Sequence, residues 1–168
     1  MNRSMHLIGC FVFWLIALIG YFYSKNDFPG WSDSLWIISS FLMAIVGAEL
    51  PDFDLEIKKF FPHRSAFTHS ILFPGLLSLP LIFHRNIESV QVLVPVYSMF
   101  LVGVASHLIL DLSPKTWKGS ALIHLPWRNM QGKKALSGFG SVLWLFVNAF
   151  LLTTSAVIML FFYMTWTS

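Results

Sequence analysis

Val90-Gln91-Val92-Leu93-Val94-Pro95-Val96-Tyr97-Ser98-Met99-Phe100-Leu101-Val102-Gly103-Val104-Ala105-Ser106-His107-Leu108-Ile109-Leu110-Asp111-Leu112 carries no Asp, Glu, Lys or Arg before Asp111. Folded as a helix at ~1.5 Å per residue, this stretch extends ~35 Å, enough to cross a hydrocarbon layer of ~30 Å. Its polar end is specific. His107 and Asp111 lie four residues apart, on one helical face with Cβ atoms ~5–6 Å apart, a spacing that suits two ligands of one ion and equally a helix-end hydrogen bond.

Four further apolar runs surround it, at Leu7 to Tyr23, Leu35 to Leu50, Phe67 to Phe83 and Val142 to Trp166. In the third, Pro74, Gly75 and Pro80 imply a kinked or re-entrant helix. The chain of 168 residues is 56% hydrophobic and 11% charged, with a mean hydropathy of +0.69, which places it outside the soluble globular class. The expected fold is therefore all-α, a polytopic membrane bundle of about five transmembrane helices forming one domain over residues 1–168. The first run is longer than a signal core and ends in Tyr21-Phe22-Tyr23, so it reads as a retained anchor. Cys10, the sole cysteine, excludes an intrachain disulfide and reads as a small core residue.

The net charge of +3 is explained by topology, not by nucleic acid, and no nucleic-acid partner is expected. With five spans, Arg3, Lys58, Lys59, Arg64, Lys115, Lys118, Arg128, Lys133 and Lys134 share one face, whereas Lys25 and Arg85 share the other. That asymmetry predicts a cytoplasmic amino terminus and two cytoplasmic long loops. In the second of these, the piece from Leu122 to Trp127 is expected to lie along the membrane surface.

Acids and imidazoles gather on the same face. Asp52 and Asp54 follow Pro51, which is expected to hold them extended and so to point them to opposite sides, one toward a metal, the other toward a second metal or a histidine. His63 and His69 bracket Arg64, Ser65 and Thr68, where a helix start capped by Ser65 or Thr68 would present free N–H groups to an anion. His6 opens the first helix at this level, and Glu49 ends the second. Carboxylates grouped in apolar surroundings call for a counter-charge, supplied either by a divalent ion or by Arg64 and the lysines.

Three segments carry a resemblance: Gly47-Ala48-Glu49-Leu50-Pro51-Asp52-Phe53-Asp54, His63-Arg64-Ser65-Ala66-Phe67-Thr68-His69-Ser70, and Gly103-Val104-Ala105-Ser106-His107-Leu108-Ile109-Leu110-Asp111. Their order and wording resemble the YdjM-like family of inner-membrane-associated metal-dependent hydrolases, over about residues 5 to 126. A distant similarity links the histidine and acid spacing to zinc-dependent phospholipase C and single-strand nucleases. Glu49 stands where the family usually has an apolar residue, and His124 where it commonly has an aromatic. His6 matches a histidine that opens the family's first helix.

Together these readings predict a metal-dependent hydrolase of the inner membrane. One or two ions, zinc before manganese or iron, would be held by His6, Asp52, Asp54, His63, His69, His107 and Asp111, with Asp52, Asp54, His107 and Asp111 in catalytic roles. Arg64, Thr68, Lys115, Lys118, His124 and Arg128 are expected to bind substrate, a phospholipid or other lipid phosphate among the membrane lipids. A divalent-cation transporter and a scaffold locked by Asp52, Arg64 and Asp111 are the competing readings.

Overall fold

The structure is a computed structural model, and it describes residues 3–25, 29–56, 63–83, 93–125 and 135–167. Among the described residues five α-helices form: α1 (Arg3–Lys25), α2 (Ser34–Glu49), α3 (Leu72–Phe83), α4 (Leu93–Leu110) and α5 (Gly138–Thr167). Short 3-10 turns occur at Trp31–Asp33, Pro51–Leu55 and Gly119–Ala121. No strand occurs among the described residues, only two isolated bridges. The fold is thus all-helical, as the apolar runs predict.

The helices differ in reach. Within α1, α4 and α5, the segments Ser4–Lys25, Leu93–Leu110 and Gly138–Tyr163 are long and apolar enough to cross a membrane. α2, with 16 residues, extends ~24 Å, and α3, with 12, only ~18 Å, both short of a ~30 Å layer. The third run begins as helix at Leu72, not Phe67, because residues 67–71 are spent in turns. Pro74 sits in the first turn of α3, where its missing N–H is tolerated, and Pro80 lies near the end.

α4 occupies the centre and packs against α1, α2 and α5, with every residue from Tyr97 to Leu108 buried. A helix that is apolar all round belongs there. α1 and α5 instead turn Ile16, Ile19, Phe150 and Phe162 outward, as lipid-facing surfaces do. The α2–α4 crossing is close: a Cβ at Gly47 would stand 2.1 Å from the Phe100 carbonyl oxygen, and one at Gly103 would stand 2.0 Å from that of Ala44. Only glycine permits that approach. On the α1 side, Trp14 Nε1 donates to Ser40 Oγ at 3.0 Å.

Lys58, Lys59, Arg85, Arg128, Lys133 and Lys134, which enter the charge asymmetry, lie outside the described residues. The surface placement expected from Leu122 onward is corrected as far as Leu125. Ile123 is fully buried and its N–H donates to Ser141 Oγ at 3.0 Å. His124 pairs with the 64–66 loop, Ala66 N–H donating to its carbonyl at 2.8 Å and its own N–H donating to Arg64 O at 2.9 Å. Satisfying these buried backbone groups draws the segment inward.

Candidate metal centre

The start of α1, the end of α2, the loop before α3 and the end of α4 meet at one end of the bundle. His107 is fully buried, and its Nδ1 lies 2.6 Å from the carbonyl oxygen of Ala48, a contact that the Gly47/Gly103 crossing allows. A carbonyl only accepts, so Nδ1 carries the proton and Nε2 keeps a lone pair. Nε2 has no hydrogen-bond partner and lies 3.6 Å from Asp111 Oδ2 and 3.9 Å from Asp52 Oδ1.

His69 repeats the device. Its Nδ1 lies 3.0 Å from Thr68 Oγ1, which in turn donates to Asp54 Oδ2 at 3.0 Å. Ser65 O at 3.2 Å is the other acceptor in reach of that hydroxyl. Neither acceptor can donate, so the single hydroxyl proton goes to one of them and Thr68 Oγ1 accepts from His69 Nδ1–H. The lone pair on Nε2 then faces Asp111 Oδ2 at 3.5 Å, again without a hydrogen-bond partner. α5 fixes the backbone of this loop, through Trp144 Nε1 donating to His69 O at 2.9 Å and Asn148 Oδ1 accepting from Ile71 N–H at 2.9 Å.

Asp54 is fully buried and faces away from these lone pairs. Its Oδ1 is 3.1 Å from His63 Nδ1, and its Oδ2 also accepts from Ser65 N–H at 3.1 Å. The split between Asp52 and Asp54 arises in a 3-10 turn, not in the extended backbone expected after Pro51. Proline at the first position of such a turn needs no N–H, and the chain leaves α2 through Leu50 still in helical geometry. The helix start expected at Ser65 or Thr68 is also absent: those residues lie in turns ahead of α3, with Ser65 Oγ accepting from Phe67 N–H, so no helix start presents free N–H groups to an anion there.

His6, at 5% exposure, completes the cluster. Its ring stacks on that of His107 with centroids 4.0 Å apart, and its Nε2 is 3.6 Å from Asp111 Oδ1. Donor atoms of His6, His107 and Asp111, and likewise of Asp52, His69 and His107, all lie within 4.8 Å of one another. Tetrahedral zinc with bonds of about 2.0–2.1 Å implies donor separations of ~3.4 Å. The 3.5 and 3.6 Å spacings around Asp111 Oδ2 fit that polyhedron.

The electrostatics agree. Burial lowers the His69 imidazole below its ordinary value, outweighing the pull of Asp111, so the ring stays neutral and keeps its lone pair. Burial would raise the Asp111 carboxyl, but the positive charge of the Arg64 guanidinium, 2.7 Å from Oδ1, acts to hold it down. Burial likewise acts to raise Asp54, and the His63 hydrogen bond, His69 and Ser65 N–H together bring it down. Lone pairs facing an ionised carboxylate across 3.5 Å repel unless a cation lies between them.

Arg64 closes one side. Its backbone has a φ of 57°, uncommon for a side chain with a Cβ and a feature that collects at functional sites. The guanidinium donates from Nη1 to Ala121 O at 2.8 Å, and Nη2 lies 2.7 Å from Asp111 Oδ1. Beside it opens a cleft of about 540 Å³, lined by His63, Arg64, Asp111, Ser113, Lys115 and Lys118 among others.

A family model described as YdjM inner membrane protein matches residues 1–167. The chain belongs to that family. No match was found among curated proteins or among solved structures. Membership in an inner membrane family accords with the three spanning-length helices and with the outward apolar faces of α1 and α5.

Of the residues singled out in the sequence, His6, Asp52, His69, His107 and Asp111 converge on the centre. Asp54 and Thr68 stand behind His69. His63, Arg64, Lys115 and Lys118 line the cleft. His124 enters through its backbone, and Arg128 lies outside the described residues. Sequence reasoning missed Ala48 O, Trp144, Asn148 and Ser141. A carbonyl leaves no trace in residue type, but Asn148, the one amide in the apolar run of α5, was a usable signal.

Proposed function

We propose that the protein is a membrane-embedded metal-dependent hydrolase that cleaves a lipid phosphate ester at the cytoplasmic face of the inner membrane. What carries the reading is the pair of buried imidazole lone pairs, on His69 and His107, that converge on Asp111 Oδ2. His6, His69, His107, Asp111 and Asp52 would hold a divalent ion, which would supply acidification of a water and positive charge against a phosphoryl or ester oxygen. The all-nitrogen and oxygen donor set favours zinc, with manganese or iron as alternatives.

The remaining residues bind and orient. Lys115 and Lys118 attract the anionic head group into the cleft, and Arg64 holds the Asp111 carboxylate and the Ala121 backbone in fixed register. His63, 31% exposed and tied at Nδ1 to Asp54, has its Nε2 lone pair left to take a proton from the attacking water and hand it to the leaving oxygen. The centre lies at the ends of helices whose outer faces are apolar, so an amphiphile can present its head while its tails stay in lipid. The basic residues of the amino terminus and both long loops support the cytoplasmic orientation.

The Arg64–Asp111 ion pair also favours a second reading, a structural lock without catalysis. Transport is less well supported, because both candidate metal groups among the described residues lie at one end of the bundle. The test is turnover of phosphate-headed lipids in mixed micelles by the zinc-loaded, detergent-solubilised chain. Turnover that vanishes in His107→Asn, and whose KM rises in Lys115→Ala/Lys118→Ala, supports hydrolysis. A metal-loaded protein that releases nothing from any lipid phosphate removes it.

A further inference from the structure

We infer that the centre holds one ion per chain, bound on the face formed by His69 Nε2, His107 Nε2 and Asp111 Oδ2, and that Arg64 occupies the place a second cation would take. The inference rests on the metal-binding part of the proposed function. Two donor groups exist on paper, His6 with His107 and Asp111, and Asp52 with His69 and His107. Both need His107.

His107 has only one lone pair to give. Its Nδ1 is committed as a donor to Ala48 O at 2.6 Å, and an imidazole nitrogen binds one metal at a time. The two groups are therefore overlapping views of one site. His69, with Nδ1 committed to Thr68, points its Nε2 at the same Asp111 Oδ2 that His107 faces. Both imidazole nitrogens thus face one carboxylate oxygen, and His6 and Asp52 lie within reach as further ligands.

A two-ion centre would use Asp111 as a bridge, with the second ion on Oδ1. That oxygen already has the Arg64 guanidinium at 2.7 Å, and the guanidinium is anchored at its other nitrogen to Ala121 O. A second divalent ion would meet a fixed positive charge at contact distance. Nor is another donor set at hand among the described residues. Both oxygens of Asp54 are taken, by His63 on one side and by Ser65 and Thr68 on the other, which leaves His63 Nε2 alone.

The test uses the metal-free full chain in detergent, titrated with Co²⁺ alone and followed by visible absorption and by metal content after desalting. Saturation at one Co²⁺ per chain is expected; two per chain, or none, overturns the inference. His107→Gln should weaken binding by more than about 100-fold. Because that variant risks misfolding, His63→Ala is the second arm: it should retain one equivalent with Kd within about threefold, and loss of the ion there would count as refutation. One Co²⁺ per chain without ester turnover removes the hydrolase reading and keeps this one. Two with turnover does the reverse.

Discussion

Thr68→Val removes one oxygen from the centre's support without altering its shape. In the native arrangement the Thr68 hydroxyl accepts from His69 Nδ1–H at 3.0 Å and donates onward at 3.0 Å to Asp54. With valine, the next acceptor for Nδ1–H is Asp54 Oδ2 at 3.7 Å, beyond hydrogen-bond range. The buried donor is then unsatisfied at a cost of about 1–3 kcal/mol. His69 relieves it by moving its proton to Nε2, where Asp111 Oδ2 waits at 3.5 Å. That tautomer has no lone pair for a metal. Binding must reverse the shift, so the ion is held more weakly by about 1.4–2.7 kcal/mol, or 10–100-fold. Competition of the purified chain against a chromophoric chelator for Zn²⁺ measures this directly, with Thr68→Ser, which keeps the hydroxyl, expected near wild type. If Thr68→Val binds Zn²⁺ within threefold of wild type, the proton on His69 is not set by Thr68 and the tautomer reasoning fails.

Further outcomes follow from the same geometry. Gly103→Ala drives a Cβ to 2.0 Å from the Ala44 carbonyl oxygen, whereas Gly20→Ala meets nothing within 4 Å. The first should lose about 1–3 kcal/mol or more of stability together with metal affinity, and the second should be neutral or slightly stabilising; equal denaturation midpoints would refute the close crossing. Arg64→Lys keeps the charge but cannot span both Ala121 O and Asp111 Oδ1. A loss of about 1.5–3 kcal/mol is expected in chemical denaturation, and an unchanged midpoint would show that the fork holds nothing. For the metal-free protein, acid should destabilise in two stages. Burial lowers His69, so below about pH 6.5 the unfolded chain takes the proton and the folded chain resists it, and stability present above that pH is lost as pH falls. Asp54 and Asp111 are also lowered, and their contribution, present above about pH 3.9, is lost below it. Thermal melts between pH 7.5 and 5 should fall for the wild type and fall less steeply in His69→Gln; a melting temperature that rises on acidification contradicts the buried neutral imidazole.

The sequence exposes those parts of the protein that depend on local spacing. His107 and Asp111 are four apart in a helix, and their reactive atoms are 3.6 Å apart, because helical periodicity alone puts them on one face. The five apolar runs become five helices for a comparable reason: in lipid the backbone must satisfy itself. Helix length was less legible. The run from Phe67 reads as apolar, but Thr68, His69 and Ser70 use their side chains and backbone in turns, and α3 starts only at Leu72. His63 and His69 look alike in the sequence, six residues apart on either side of one turn. Which of them meets the lone-pair cluster depends on where Asp54 and Thr68 fall in three dimensions, and no one-dimensional pattern encodes that. Asp54 is the instructive case, since two carboxylates two positions apart invite equal roles, yet one lines the centre and the other aligns a histidine from behind.

This division of labour has a physical origin in α4. A central helix buried on every side can carry a histidine and an acid only if their polar atoms are met from the neighbouring elements. α2 meets His107 with a backbone carbonyl, and can do so because Gly47 and Gly103 let the two backbones approach. The loop before α3 meets Asp111 with Arg64 and His69. α5 holds that loop in place with Trp144 and Asn148. After these contacts are made, His69 Nε2 and His107 Nε2 are still without partners, as are His6 Nδ1 in the same cluster and Trp36 Nε1 outside it. Trp36 is a lone indole donor, whereas the His69 and His107 nitrogens are aimed at one carboxylate oxygen, which is what a fold shaped around a cation requires.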